Sequence, residues 1–302
     1  MAVNTAERMS EQIERMGRGS GFIAALDQSG GSTPKALQLY GVDDSAYSSD
    51  DEMFDTVHAM RTRIMTDSRF TGTHVLGAIL FQNTLDREVL GQPTSQYLWR
   101  EKQIVPFLKV DYGMDDLADG VQIMKPIPDL DERLIRAKAL DVFGTKMRSV
   151  IKEANGGGIE KVVAQQFEFG ANILAHGMVP IIEPEVDIHA IDKYDCENLL
   201  RDNLRVQLAG LDGDLPVIFK LTLPETDDFY QEFCEHTKVL RVVALSGGYS
   251  REESNNKLSN NQGVIASFSR ALTEGLQAGQ TVADFSAMLG STVESIAAAS
   301  AT

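Results

Sequence analysis

Eight short, mostly apolar runs recur along this chain, each followed by a polar or Gly/Ser-rich break. They are GFIAALD (21–27), HVLGAILF (74–81), LKVD (near 108–111), TKMRSVI (145–151), MVPIIEPEV (178–186), PVIFKLTL (216–223), LRVVALSGG (240–248) and GVIASFSRA (263–271). Runs that are apolar nearly throughout fit parallel strands covered on both faces. Between most of them the apolar positions shift to helical spacing. One helix is predicted to begin at Ser49, whose hydroxyl caps the free amides with Glu52 as reciprocal partner. Met53, Val57, Met60 and Ile64 form its apolar stripe. Further helices are predicted near 4–17, over 159–175 and in the 192–208 region.

Eight strands separated by helices favour a (β/α)8 barrel, the TIM barrel of α/β proteins. A doubly wound open sheet is less economical, because no GxGxxG is present. No linker, repeat or low-complexity tract divides the chain, so residues 1–302 are expected to form a single domain. That domain would have a short N-terminal helix and, in the closing AAASAT, a frayed end.

Composition narrows the picture. With 28 basic and 44 acidic residues the formal charge is −16, which disfavours nucleic acid and anionic membranes as partners. A local cluster of cations can still reverse the field inside one cleft. No uninterrupted apolar stretch is long enough to span a membrane, and the polar N-terminus is unlike a signal peptide. A cytoplasmic protein is expected. Cys196 and Cys234 lack metal-ligand spacing and read as packed, reduced thiols.

Barrel enzymes place their reactive groups at the C-terminal ends of the strands. Asp27, Lys109, Lys146, Glu183, Glu185, Lys220, Ser246 and Arg270 all fall near that rim. Lysine is seldom buried, so several lysines in apolar runs beside carboxylates suggest chemistry. Lys220, preceded by PVIF, is the leading nucleophile, since apolar surroundings and nearby cations favour a neutral amine that attacks a carbonyl and forms a Schiff base. Lys146 would hold Lys220 partly deprotonated or grip the substrate. Glu183 and Glu185, two apart, share one strand face and could shuttle protons. Asp27 could orient a substrate hydroxyl or accept its proton. The sequence leaves the proton assignments open.

Two anionic subsites are expected at opposite sides of the mouth. Ser246, Gly247 and Gly248, with Arg270 at the next strand end, suit one phosphate. Ser29, Ser32, Lys35 and Lys109 suit a second. Two such pockets around a central amine imply a bisphosphorylated carbonyl compound.

Taken in order, ALDQSGGS, GAILFQNTL, FLKVDYG, TKMR, VPIIEPE, FKLTLPE, LSGG and SRAL resemble class I fructose-bisphosphate aldolase over roughly residues 10–290. The resemblance implies a metal-independent lyase without a cofactor, serving glycolysis and gluconeogenesis. It would reversibly split fructose 1,6-bisphosphate into dihydroxyacetone phosphate and glyceraldehyde 3-phosphate. It assigns the imine to Lys220 and the leading proton transfer to Glu183, with Asp27 and Lys146 supporting bond cleavage and Glu185 tuning the cluster. Ser246, Gly247 and Arg270 match the C1-phosphate site. Ser29, Ser32, Lys35 and Lys109 match the C6-phosphate region, and Arg148 of TKMR joins the substrate-binding set.

Gln28 stands where animal members carry an acid, and Ala36 where they carry an arginine, which puts individual C6-phosphate contacts in question. The chain stops at Thr302, without the long tail and terminal tyrosine of the animal enzymes, so another group or solvent would serve that proton exchange. In this the chain resembles the shorter bacterial members. The alternatives are a Schiff-base aldolase for another phosphorylated sugar, a zinc aldolase, or an inactive barrel used for protein binding. The five histidines show no compact ligand spacing. Exposed helices leave room for a homo-oligomer, but no stripe defines its order.

Overall fold

The structure, a computed structural model, describes residues 5–302. Its eight main strands are β1 (Phe22–Leu26), β2 (Val75–Leu80), β3 (Val105–Lys109), β4 (Gly144–Ile151), β5 (Val179–Val186), β6 (Val217–Thr222), β7 (Val239–Leu245) and β8 (Val264–Phe268). They pair in parallel in the order β3-β2-β1-β8-β7-β6-β5-β4, and β4 pairs back onto β3. The sheet therefore closes and leaves no edge, as the strand rhythm predicts.

Each predicted run overlaps one strand; β4 and β7 begin one residue early, at Gly144 and Val239, and β3 begins at Val105, three residues before the predicted LKVD. Pro106 reads as a strand breaker because it has no amide to donate. Here its carbonyl accepts from the Phe143 amide at 3.0 Å, so the strand continues through it.

Alternation sorts the side chains into two cores. Ile23, Ala25, Val105, Phe107, Val179, Ile181, Ile218, Val243 and Ile265 form one cluster inside the barrel. The intervening positions, among them Phe22, Leu108, Ile182 and Phe219, join the larger cluster under the surrounding helices. Inside, Phe107 packs edge-on against Phe143 with centroids 5.4 Å apart. Burying a side chain of this size contributes roughly 1.5–3 kcal/mol. Gly144 makes the room for it: a Cβ there would lie 2.1 Å from the Val179 carbonyl oxygen and 2.9 Å from the Phe107 ring.

The helix Thr5–Arg18 closes the N-terminal mouth. Met16 joins the inner cluster, with Met9 and Ile13 packed against it. Arg241 of β7 donates to the carbonyls of Met16 and Gly19, both at 2.9 Å. The predicted start of this helix at Asn4 lies outside the described residues. With one mouth sealed, access to the barrel interior comes from the C-terminal rim.

The helices predicted over 159–175 and 192–208 are Gly156–Ala175 and Lys193–Gly210. The predicted helix after Ser49 spans Asp50–Thr66, with all four stripe residues buried. Its cap differs in one respect. The Glu52 amide donates to Ser49 Oγ at 3.3 Å, but the Glu52 carboxylate accepts from the amide and hydroxyl of Ser48, at 2.7 and 2.6 Å, rather than from Ser49. Ser48 offers two donors to the carboxylate, which the Ser49 amide cannot match.

The AAASAT end also departs from expectation. The helix Val282–Ala299 runs on to the tail, and Ser300 is buried. Its hydroxyl accepts from the Ala266 amide of β8 at 3.1 Å and donates to the Ile296 carbonyl at 2.8 Å. A small polar side chain reads as a loose end, yet here it satisfies a strand amide. Cys196 and Cys234 are free thiols, which burial pushes up to about 12 and about 11.

Candidate active site

The inward series of each strand is apolar at depth and turns charged toward the open mouth. Ile23 and Ala25 lead to Asp27, Val105 and Phe107 to Lys109, Ile218 to Lys220, and Val179 and Ile181 to Glu183 and Glu185. A period of two therefore carries each charged group into the barrel with the core residues below it. Lys109 ends β3 as expected. Lys146 is the third residue of β4 and Lys220 the fourth of β6, so these two lie within their strands rather than at the ends. Barrel stagger accounts for this, since strand tilt offsets neighbouring registers. Lys146 pairs in register with Lys109 and so stands level with it at the mouth.

The buried charges form one chain. Lys220 Nζ lies 3.0 Å from Glu183 Oε1, while Glu183 Oε2 lies 2.7 Å from Lys146 Nζ. Lys146 Nζ also donates to Asp27 Oδ2 at 2.9 Å. All four are nearly sealed, with residue exposures of 3–8 %. Two lysines side by side in register would repel, and each has its own aspartate. Lys109 donates to Asp111 Oδ1 at 2.6 Å, and the other Asp111 oxygen accepts from the Arg148 amide at 3.2 Å. Arg148, two residues beyond Lys146 on the same face, pairs with Glu185 at 3.0 Å.

The supporting contacts come from a flanking helix and from the end of the neighbouring strand. Gln166, on the helix Gly156–Ala175, accepts from the Glu183 amide at 3.2 Å and donates to the Glu183 carbonyl at 3.3 Å. The Thr222 hydroxyl accepts from the Val186 amide at 2.9 Å and donates to its carbonyl at 2.7 Å. These bonds hold β5 and β6 together where their main-chain pairing has ended.

Burial and charge compete at every ionisable group here. Burial works to raise the Asp27 carboxyl, but Lys146 and Lys220 outweigh it and hold Asp27 well below the usual carboxylate range. Burial likewise opposes the Lys146 ammonium, yet Asp27 and Glu183 together raise it above an ordinary lysine. At Lys109 burial wins over Asp111 and the amine is lowered. At Glu185 burial wins over Arg148 and the carboxyl is raised. Asp27 and Glu185 are thus driven apart, one held ionised and the other made more basic.

These groups line a cavity of about 290 Å³, together with Ser29, Ser32, Lys35, Arg148, Ser246, Gly247 and Arg270. Gly248 is the one predicted site residue outside that lining. Both glycines are required by their backbone, with φ of +62° and +137°, and a Cβ on Gly247 would meet Ile188 at 2.5 Å. Six basic side chains face three carboxylates around the cavity, so its field is positive within an acidic protein. Arg270 and Lys35 are exposed, and their side chains have no protein partner among the described residues.

Several residues of this region escape the strand-end argument. Ser267, Ser269 and Thr273 also line the cavity, and the Ser267 hydroxyl is buried without a partner. Asp111 is legible only as the acid two positions past Lys109. Arg61 is fully buried on the helix Asp50–Thr66. One signal marks it in the sequence: four residues after Val57, it falls on the apolar stripe, where a cation is out of place.

Comparison with known proteins agrees with the geometry. Residues 6–199 match the family described as Fructose-bisphosphate aldolase class-I. A protein of Synechocystis named fructose-bisphosphate aldolase class 1 is 58% identical over 298 residues, covering 99% of both chains. Proteins of the same name from Porphyromonas gingivalis and Clostridium acetobutylicum are 53% and 52% identical, each over 96% of this chain and 98% and 99% of their own. Among solved structures, a fructose-bisphosphate aldolase of Plasmodium falciparum superposes with a TM-score of 0.76 at 20% identity, over 99% of this chain and 96% of the other. At that identity the likeness concerns the fold.

Proposed function

The chain belongs to the class I fructose-bisphosphate aldolase family, and we propose that Lys220 is the amine through which it works. The reaction is the reversible cleavage of fructose 1,6-bisphosphate to dihydroxyacetone phosphate and glyceraldehyde 3-phosphate through a lysine Schiff base. The observation that carries the assignment is the unbroken contact chain Lys220–Glu183–Lys146–Asp27 at the base of a positively lined cavity.

In this reading Lys220 gives a proton to Glu183 Oε1 and attacks C2 of the ketose. Glu183 returns the proton to the carbinolamine hydroxyl, and water leaves to form the iminium. The iminium withdraws electrons from C3, so the C3–C4 bond breaks and its electron pair becomes the enamine. Asp27, held ionised, orients the C4 hydroxyl and takes its proton as the aldehyde forms. Lys146 anchors both carboxylates and stabilises the developing oxyanion. Glu185, made more basic by burial, tunes the cluster with Arg148. Ser246, Gly247, Gly248 and Arg270 receive the C1 phosphate, and Ser29, Ser32, Lys35 and Lys109 the C6 phosphate.

The same reading treats residues 1–302 as one domain and the protein as a cytoplasmic one whose exposed helices leave room for a homo-oligomer. Its charge of −16 supports the absence of nucleic-acid and anionic-membrane partners. Among the described residues no helix is long and apolar enough to cross a membrane.

Borohydride reduction in the presence of fructose 1,6-bisphosphate tests the reading. Peptide mass analysis should find a triose phosphate adduct on Lys220, and Lys220→Ala should abolish both adduct and turnover. A reduced adduct on any other lysine, or turnover retained in Lys220→Ala, overturns the assignment.

A further inference from the structure

At the mouth, the seam between β1 and β8 has little main-chain support. Its ladder consists of two register pairs, Ile23 with Ser267 and Ala24 with Phe268. On the other side of β1, pairing with β2 runs from Phe22 to Leu26. Asp27 and Gln28 after β1, and Ser269 and Arg270 after β8, all lie beyond the last β1–β8 pair. The Gln28 side chain spans this gap, its Nε2 donating to Ser269 Oγ at 2.6 Å.

The direction of that amide is set from behind. Arg61, fully buried, donates to Thr84 Oγ1 and to the Gln28 carbonyl, both at 2.6 Å, and to Gln28 Oε1 at 3.3 Å. A guanidinium has only donors, so it selects the amide oxygen and turns the amide nitrogen toward Ser269. No carboxylate lies within ion-pair distance of Arg61 among the described residues, and its Nε has no partner. A buried cation kept in this state is costly, which argues for a role beyond packing. Ser269 is free to take part: it precedes the turn Arg270–Thr273 without spending its side chain on a cap.

We propose that Arg61 and Gln28 are positioning residues that set the C1-phosphate end of the cavity, by holding Ser269 and therefore Arg270 against the end of β1. This rests on the reading of the site given above and adds to it two residues that touch neither the reacting carbon nor Lys220. Arg61 fixes Gln28, Gln28 fixes Ser269, and the next residue is the unpaired Arg270 on the cavity wall. A loosened Arg270 would weaken the phosphate equally in the bound substrate and in the transition state. The loss should therefore fall on KM rather than kcat.

The variant that tests this is Gln28→Met, which keeps the side-chain length and removes both polar contacts. In the condensation direction, the KM for dihydroxyacetone phosphate should rise about fivefold to tenfold, the loss of a single aligned hydrogen bond, with kcat changed less than about threefold. The KM for glyceraldehyde 3-phosphate should stay within about twofold. A rise confined to glyceraldehyde 3-phosphate, an unchanged KM for both trioses, or a fall in kcat alone overturns the proposal. Arg61→Met should reproduce the shift if it folds, and Gln28→Met decides the matter if it does not. Borohydride trapping of wild type and variant separates the two levels of inference. An adduct on Lys220 in both, with no shift in KM, removes the strut alone; an adduct elsewhere removes the site reading itself.

Discussion

Replacing Lys146 by methionine removes the cation that two buried carboxylates share. Its Nζ stands 2.9 Å from Asp27 and 2.7 Å from Glu183. At an effective dielectric constant of about 20, each pair contributes about 6 kcal/mol of attraction. Desolvating the ions offsets most of this, so the net loss expected from leaving buried charges unpaired is about 3–5 kcal/mol. The loss should depend on pH. In the wild-type protein the Asp27 carboxyl is lowered, so its contribution is fully present above the ordinary value of about 4 and is lost as pH falls through the folded value. Without Lys146 its strongest partner is gone and burial prevails, so the folded variant binds a proton that the unfolded chain releases. Stability of Lys146→Met should then decline as pH rises above about 4, and the gap from wild type should be wider at about pH 8 than at about pH 5. Urea unfolding followed by circular dichroism at both pH values measures this, with turnover lost throughout. A gap below about 1 kcal/mol, or one that does not widen with pH, would refute the view that Lys146 holds an ionised pair.

Two further substitutions test separate parts of the reading. Arg270→Ala removes an unpaired guanidinium from the proposed phosphate end and should lower kcat/KM about 10-fold to 100-fold, seen chiefly in KM; unchanged efficiency would count against the C1-phosphate assignment. Gly144→Ala forces a methyl group against the Val179 carbonyl and the Phe107 ring, and should cost at least about 1–3 kcal/mol in chemical denaturation, whereas a neutral result would mean the inner layer has slack.

The barrel was legible because its determinants are local and repeated. Eight apolar runs, helical spacing between most of them, and a capping serine before an apolar stripe each reflect backbone and solvation preferences that need no distant partner. The charged set that faces the cavity was legible for a related reason. A lysine or carboxylate that continues an apolar alternating series must face the barrel interior, so Asp27, Lys109, Glu183 and Lys220 identify themselves.

Other features depend on pairings across the chain. Which carboxylate meets which lysine follows from barrel stagger, which sets Lys146 level with Lys109 and within reach of Asp27, 119 residues away. The burial of Ser300 depends on a β8 amide 34 residues earlier, and Ser48 rather than Ser49 answers Glu52 because hydrogen-bond geometry chose between neighbours. The strut from Arg61 through Gln28 to Ser269 joins three segments that no local pattern connects. Local propensity and periodicity are written residue by residue, so the sequence alone determined the elements and the faces they bury. Electrostatic pairing falls steeply with distance and acts through space, so only the closed tertiary structure decided how those faces combine into a site.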